Sequence, residues 1–229
     1  MESFVYQYPV KNYFGEGTVE KAFAAEMPAM GERVMLAYGG GSVKRSGLYD
    51  QVRSLLEGAG KTVVDFGGIM SNPTYAKVQE GARAARENAV DFILAVGGGS
   101  VFDCCKVVSA QAKLDVDIAE FERVQGGQPT EFIPLGCIVT LSGTGAEQNA
   151  GGVITDEKTR VKGPLWGALP LWAALDPALT LTVPIAPVHE RGLRLALALH
   201  GDLLRHAAHA QRLRRHQPGR PAQYRAQHA

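Results

Sequence analysis

The 229-residue chain predicts an α/β fold built on a mostly parallel sheet. Short apolar runs alternate with helical stretches of about 10–15 residues, the rhythm of βαβ units. Three of those runs end directly in glycine- or serine-rich loops. In an open α/β sheet the carboxyl ends of the strands form the edge where ligands sit.

The elements follow in order. Residues 4–8 and 12–17 show strand alternation closed by a glycine turn, and residues 18–27 read as a helix. Residues 33–38 form a largely apolar strand that ends in Gly39, Gly40, Gly41 and Ser42. A helix follows over about 47–59, then a strand over 61–66 closed by Gly67 and Gly68. The turn Ser71-Asn72-Pro73-Thr74 precedes a helix over 75–88. Residues 91–96 read as a buried strand, leading through Gly97, Gly98, Gly99 and Ser100 into a helix over 101–114. Residues 131–140 give a further strand with a second loop at 141–147, and residues 152–163 read as a hairpin with Asp156, Glu157 and Lys158 at its tip. Ala174-Leu175-Asp176-Pro177 and Val183-Pro184 punctuate the rest, and no repeat of solenoid period is present.

Bulk composition limits the function classes. With 45% hydrophobic and 21% charged residues the chain has enough apolar mass for a real core. No apolar run approaches the roughly 20 residues that cross a bilayer, and the first residues have no signal-peptide core. A cytoplasmic protein with no membrane partner is expected. Cys104, Cys105 and Cys137 have neither a disulfide framework nor zinc-ligand spacing, so they read as buried, reduced thiols. The net charge of +1 hides a split. All six histidines lie at or after His189, and residues 189–229 carry eight arginines, no lysine and only Glu190 and Asp202 as acids.

The segment GGGSVFDCCK, residues 97–106, carries the clearest chemistry. Glycines between strand and helix let bare N–H groups approach a ligand, and the helix N-terminus adds roughly half a positive charge. This suits a phosphate or pyrophosphate, with Asp103 and Lys106 on the first helical turns beside it. A glycine triplet alone is equally compatible with a simple connecting turn. The companion loops at 39–42 and 140–147 favour the phosphate site.

With GGGSxxDxxK, the upstream YGGGS, TxSGTGAE and LDPxLTxTVP in this order, the chain resembles the iron-containing (group III) alcohol dehydrogenases over about residues 1–188. It is most similar to their NADPH-linked butanol dehydrogenase and broad aldehyde reductase branch. The resemblance implies a Rossmann-like dinucleotide-binding domain followed by an all-helical domain that holds Fe2+ or Zn2+ through one aspartate and three histidines. It implies a small alcohol or aldehyde substrate and, often, a homodimer. By the same resemblance Gly97, Gly98, Gly99, Ser100 and Asp103 match the pyrophosphate loop. Thr140, Ser142 and Thr144 match the segment that contacts the coenzyme, and Lys162 matches the hairpin lysine that reaches it. Asn72 joins this coenzyme-binding set. Thr140 and Thr144 could instead satisfy turn N–H groups, and Lys162 could be a solvated hairpin lysine.

Family members that use NAD often place an aspartate just after the first strand. Here Gly39, Gly40, Gly41 and Ser42 carry no acid, and Ser42 and Lys44 are available to a phosphate, so NADP(H) is expected.

The resemblance breaks after residue 188. Asp202 and His206 have DxxxH spacing, but the flanking residues depart from the family's metal helix. Codons permitted for Glu190 to His206, read from their second nucleotide, spell SAAFDSLSHSMETYFGT, which resembles that helix. The expectation is a dinucleotide-binding domain over 1–185 and a frameshifted, poorly ordered tail over 186–229, with the all-helical metal domain missing. No catalytic or metal-binding residue is then expected in this chain, nor metal binding, and little or no dehydrogenase activity. A basic arm for nucleic acid is the rival reading of the tail, but it has no interleaved aromatics, and no nucleic-acid partner is expected. Other readings are a non-catalytic dinucleotide-binding remnant, or a relative resembling glycerol dehydrogenase or dehydroquinate synthase.

Overall fold

The computed structural model describes residues 8–181. The strands are β1 (Lys11–Phe14), β2 (Arg33–Tyr38), β3 (Thr62–Phe66), β4 (Phe92–Gly98), β5 (Leu135–Leu141), β6 (Gly151–Asp156), β7 (Val161–Trp166) and β8 (Trp172–Leu175). The helices are α1 (Thr18–Glu26), α2 (Ser42–Arg45), α3 (Leu48–Gly58), α4 (Tyr75–Glu87), α5 (Gly99–Gln111) and α6 (Ile118–Arg123). Six strands form one sheet in the order β1-β8-β5-β4-β2-β3, and every pairing is parallel. β6 and β7 form a separate antiparallel hairpin.

The continuous apolar runs have a physical reason. Side chains alternate across a strand, so a strand apolar at every position must be covered on both faces. Val34, Leu36, Phe92, Leu94 and Val96 pack with Val19 and Phe23 of α1 and Val52 and Leu56 of α3. Met35, Ala37, Ile93 and Ala95 face the other way, against Val78 and Ala82 of α4 and Phe102 and Val107 of α5. Two helical layers thus sandwich the sheet, which is the α/β architecture the alternation predicts. Among the described residues no helix is long and apolar enough to cross a membrane.

Several boundaries differ from the sequence expectation. β4 does not stop at Val96 but continues through Gly97 and Gly98, and α5 begins at Gly99. Strand passes into helix without a connecting loop. Glycine lacks the apolar side chain that marks a strand in sequence, yet its backbone continues the ladder to Leu141, with a register shift between Gly97 and Gly98. β1 lies at Lys11–Phe14, and residues 4–7 fall outside the described residues. β5 starts only at Leu135, after Pro134. The expected helix over 101–114 spans Gly99–Gln111 and closes with a turn in which Lys113 N donates to the Ala110 carbonyl.

β8, α2 and α6 were not expected. β8 enters the sheet between β1 and β5, where Trp172 lies opposite Gly136. A Cβ at Gly136 would stand 2.5 Å from the Trp172 ring, so the bare backbone of β5 makes room for the indole. The proposed boundary near residue 185 and the whole 186–229 segment, with Asp202 and His206, lie outside the described residues.

Candidate coenzyme cleft

The β4–α5 junction sits at the carboxyl edge of the sheet, in its middle. The first N–H groups of a helix have no partner within it, which makes this terminus a place for negative charge. The three glycines there are bare for different reasons. A Cβ at Gly97 would lie 2.6 Å from Val101 Cγ2, one at Gly98 would lie 3.2 Å from Leu141 Cβ, and one at Gly99 would collide with Thr144 Oγ1. Gly97 is buried and serves the packing of α5 onto β4, whereas Gly99 and Ser100 open onto a cleft.

That cleft measures about 440 Å³. Asn72, Gly99, Ser100, Asp103, Thr144 and Lys162, all expected from the sequence, line it together. They come from four separate segments. The α3–α4 side supplies Asn72 from the turn after β3, the β5 side supplies Thr144, and the β6–β7 hairpin supplies Lys162. The hairpin is tied to the turn: Thr155 N donates to the Pro73 carbonyl at 2.9 Å, and Lys162 Nζ donates to Asn72 Oδ1 at 2.6 Å. Asn72 has φ 55°, a left-handed conformation that asparagine tolerates better than most residues.

Gly97, Gly98, Thr140 and Ser142 do not line this cleft. Gly39, Gly40, Gly41 and Ser42 stand outside it too, at the end of the neighbouring strand β2. They are linked to the junction through Val101, since a Cβ at Gly39 would lie 3.5 Å from Val101 Cγ2 and 3.2 Å from the Ile69 carbonyl.

Lys106 departs from expectation. It does not lie beside the glycine junction as a phosphate ligand but turns inward and is fully buried. Its Nζ donates to the Ala146 carbonyl at 2.9 Å, Asn149 Oδ1 at 3.0 Å and the Gly151 carbonyl at 2.5 Å, and pairs with Asp103 Oδ1 at 3.2 Å. Burial pushes its pKa below the ordinary lysine value, against the pull of Asp103. Its three acceptors fix the loop before β6 and the first residue of that strand, which supply Ala146, Asn149 and Gly151 to the cleft wall. Asn149 was missed in the sequence, where nothing but its place after SGTGAEQ sets it apart. The three cysteines are buried, and burial pushes the Cys104 thiol up to about 12, so none is poised as a thiolate nucleophile.

The open backbone at Gly99, the helix terminus and the Lys162 ammonium fit an extended anionic ligand of the dinucleotide kind. A metal is different. Among the described residues no three His, Cys, Asp or Glu side chains converge to hold one, and the histidines lie outside those residues.

A sequence model of the family described as "Iron-containing alcohol dehydrogenase" matches residues 9–177. The chain belongs to that family. It is 44% identical over 187 residues to the protein of Bacillus subtilis (strain 168) named "Probable NADH-dependent butanol dehydrogenase 1", covering 80% of this chain and 48% of that one. It is 40% identical over 188 residues to the "NADPH-dependent aldehyde reductase YqhD" of Escherichia coli (strain K12), covering 80% and 48%. Among solved structures, the NADH-dependent butanol dehydrogenase A of Thermotoga maritima superposes with a TM-score of 0.74 at 37% identity, over 80% of this chain and 46% of that one. The chain spans about half the length of the curated relatives it matches.

Proposed function

We propose that this chain forms the coenzyme-binding half of an NADP(H)-dependent alcohol dehydrogenase or aldehyde reductase. The observation that carries the reading is the β4–α5 junction, where Gly99 and Ser100 open into a cleft walled by Asp103, Thr144 and the hairpin lysine Lys162. The N-terminus of α5 would receive the pyrophosphate, and Gly39 to Ser42, at the end of β2, would receive the adenosine ribose. Lys162, held at Asn72, adds positive charge to the far wall of the cleft. A bound nicotinamide supplies hydride transfer to or from the carbon of a small alcohol or aldehyde. The described residues bind and orient the coenzyme, and they contribute no metal-ligand set. Catalysis would need metal ligands that the described residues do not supply, such as the DxxxH that a shifted reading frame would encode; without them the cleft is expected to bind coenzyme without turnover.

The choice of NADP(H) rests on charge. Residues 39–44 carry no carboxylate to repel a 2′-phosphate, and they include Lys44. The names of the relatives divide between NADH and NADPH, so the loop itself must decide. Titration of the purified chain with NADPH and NADH, followed by nicotinamide fluorescence, tests both halves of the reading. NADPH should bind more tightly. Gly39→Asp should weaken NADPH and spare NADH, although its Cβ must be accommodated 3.2 Å from the Ile69 carbonyl. Equal weakening of both coenzymes would refute the preference, and failure of the unaltered chain to bind either would refute the cleft.

A further inference from the structure

A second cluster of aromatic and charged side chains stands beside the Gly39–Ser42 loop. Tyr38 ends β2, and its hydroxyl donates to Asp65 Oδ2 at 2.8 Å. Tyr49, on α3, donates to Asp65 Oδ1 at 2.9 Å. The two rings meet edge-on, centroids 5.1 Å apart. Lys44, on α2, lies over both: its Nζ is 5.0 Å from the Tyr38 centroid and 4.5 Å from that of Tyr49. The arrangement depends on Gly67, where a Cβ would come within 2.6 Å of the Tyr38 ring.

We propose that Lys44, seated on the Tyr38 and Tyr49 rings that Asp65 holds in place, is the group by which this chain distinguishes a ribose 2′-phosphate from a 2′-hydroxyl. The proposal rests on the NADP(H) reading above. In dinucleotide-binding folds, an acid near the end of the second strand of the unit accepts hydrogen bonds from the ribose. Asp65 stands near the end of β3, beside β2, but each of its oxygens already accepts a tyrosine hydroxyl. It acts as a positioning residue for the rings and attracts Lys44 toward them, so the acid here is matched by a cation. Lys44 also engages the Tyr38 hydroxyl and is attracted by Asp65. An ammonium with three donors keeps others for an anion, while the rings restrain a side chain otherwise rich in rotamers. Lys44 is exposed at the surface, so a phosphate can reach it. Arg45 is the nearest competitor, since its Nη1 lies 2.8 Å from where a Gly41 Cβ would stand.

The test is the ratio of NADH to NADPH dissociation constants, measured by fluorescence titration of the full chain and its variants. Lys44→Met should lower the ratio about tenfold by weakening NADPH alone, the scale of one charge-assisted contact. Lys44→Arg keeps a cation that stacks on aromatic rings and should restore most of the ratio. Tyr49→Leu removes one ring of the seat and should lower the ratio by about threefold. The assignment is overturned if Lys44→Met leaves the ratio unmoved, if it weakens both coenzymes alike, or if Arg45→Met moves the ratio in its place. Those results would leave the cleft standing, because both coenzymes would still bind. Failure of the unaltered chain to bind either coenzyme would bring down the cleft and this assignment together.

Discussion

Asp103 and Lys106 lie one turn apart on α5 with Nζ 3.2 Å from Oδ1, yet only Asp103 reaches the cleft. The three donors of the lysine ammonium go to Ala146, Asn149 and Gly151. Lys106→Met would leave the Ala146 and Gly151 carbonyls without this donor and Asp103 without its counter-ion. Breaking a buried pair from one side costs about 3 kcal/mol. The urea midpoint of the variant should fall accordingly, and NADPH affinity with it, because the loop before β6 walls the cleft. An unchanged midpoint would show that the loop holds itself.

Gly99 and Thr144 occupy space that only one side chain can fill. Gly99→Ala would drive a Cβ into Thr144 Oγ1 and should cost roughly 1–3 kcal/mol as overpacking. Thr144→Ala removes the colliding atom. The double variant should therefore recover about 1 kcal/mol or more relative to the sum of the singles, read from urea midpoints in a double-mutant cycle. Strict additivity would mean that the loop at 142–145 simply moves aside.

Glu26 joins the end of α1 to β1 and gives a prediction in pH. Its carboxylate accepts from the Tyr13 hydroxyl at 2.5 Å and from Lys11 Nζ at 2.9 Å. Burial pushes its pKa up, but the Tyr13 hydrogen bond and Lys11 outweigh burial and hold it below the usual 4.5. With the folded pKa lowered, the unfolded chain binds more protons across that range. The contribution of Glu26 is thus fully present above about pH 5 and is lost as pH falls through 4.5 and below. Glu26→Gln should be less stable than the parent by about 1 kcal/mol at neutral pH. The two urea midpoints should converge on acidification, and a gap that persists unchanged at low pH would contradict the assignment.

Legibility varied with where the partners of each residue lie in the chain. β2 and β4 were plain in the sequence because both faces are buried and each run is apolar, over residues 34–38 and 92–96. The strand-to-helix junctions were plain because their glycines stand out. At 97–99, however, the strand runs on through Gly97 and Gly98, and the bare backbone there serves close packing against Val101, Leu141 and Thr144. β8 was missed because Trp172-Ala173-Ala174-Leu175 is four residues long and has no β-branched side chain; its place in the sheet comes from β1 and β5. Of the expected site residues, those lining the cleft come together because the hairpin folds back on the Asn72 turn. Lys106 was misread because spacing shows that Asp103 and Lys106 share a helix face, but not that three acceptors forty and more residues later draw the lysine inward.

The order of the sheet has a consequence for synthesis. β1 pairs only with β8, with Lys11 opposite Trp172, and Gly17 N binds the Asp176 carboxylate across 159 positions. β1 must wait for β8 before it has any strand neighbour in the sheet. On a ribosome adding about 5–20 residues per second, that wait lasts on the order of ten seconds or more. During it, Val19, Ala22 and Phe23 of α1 lack the Trp172 and Ala174 side of the core they share. The nascent chain therefore carries an amphipathic helix whose apolar face has no finished sheet beneath it.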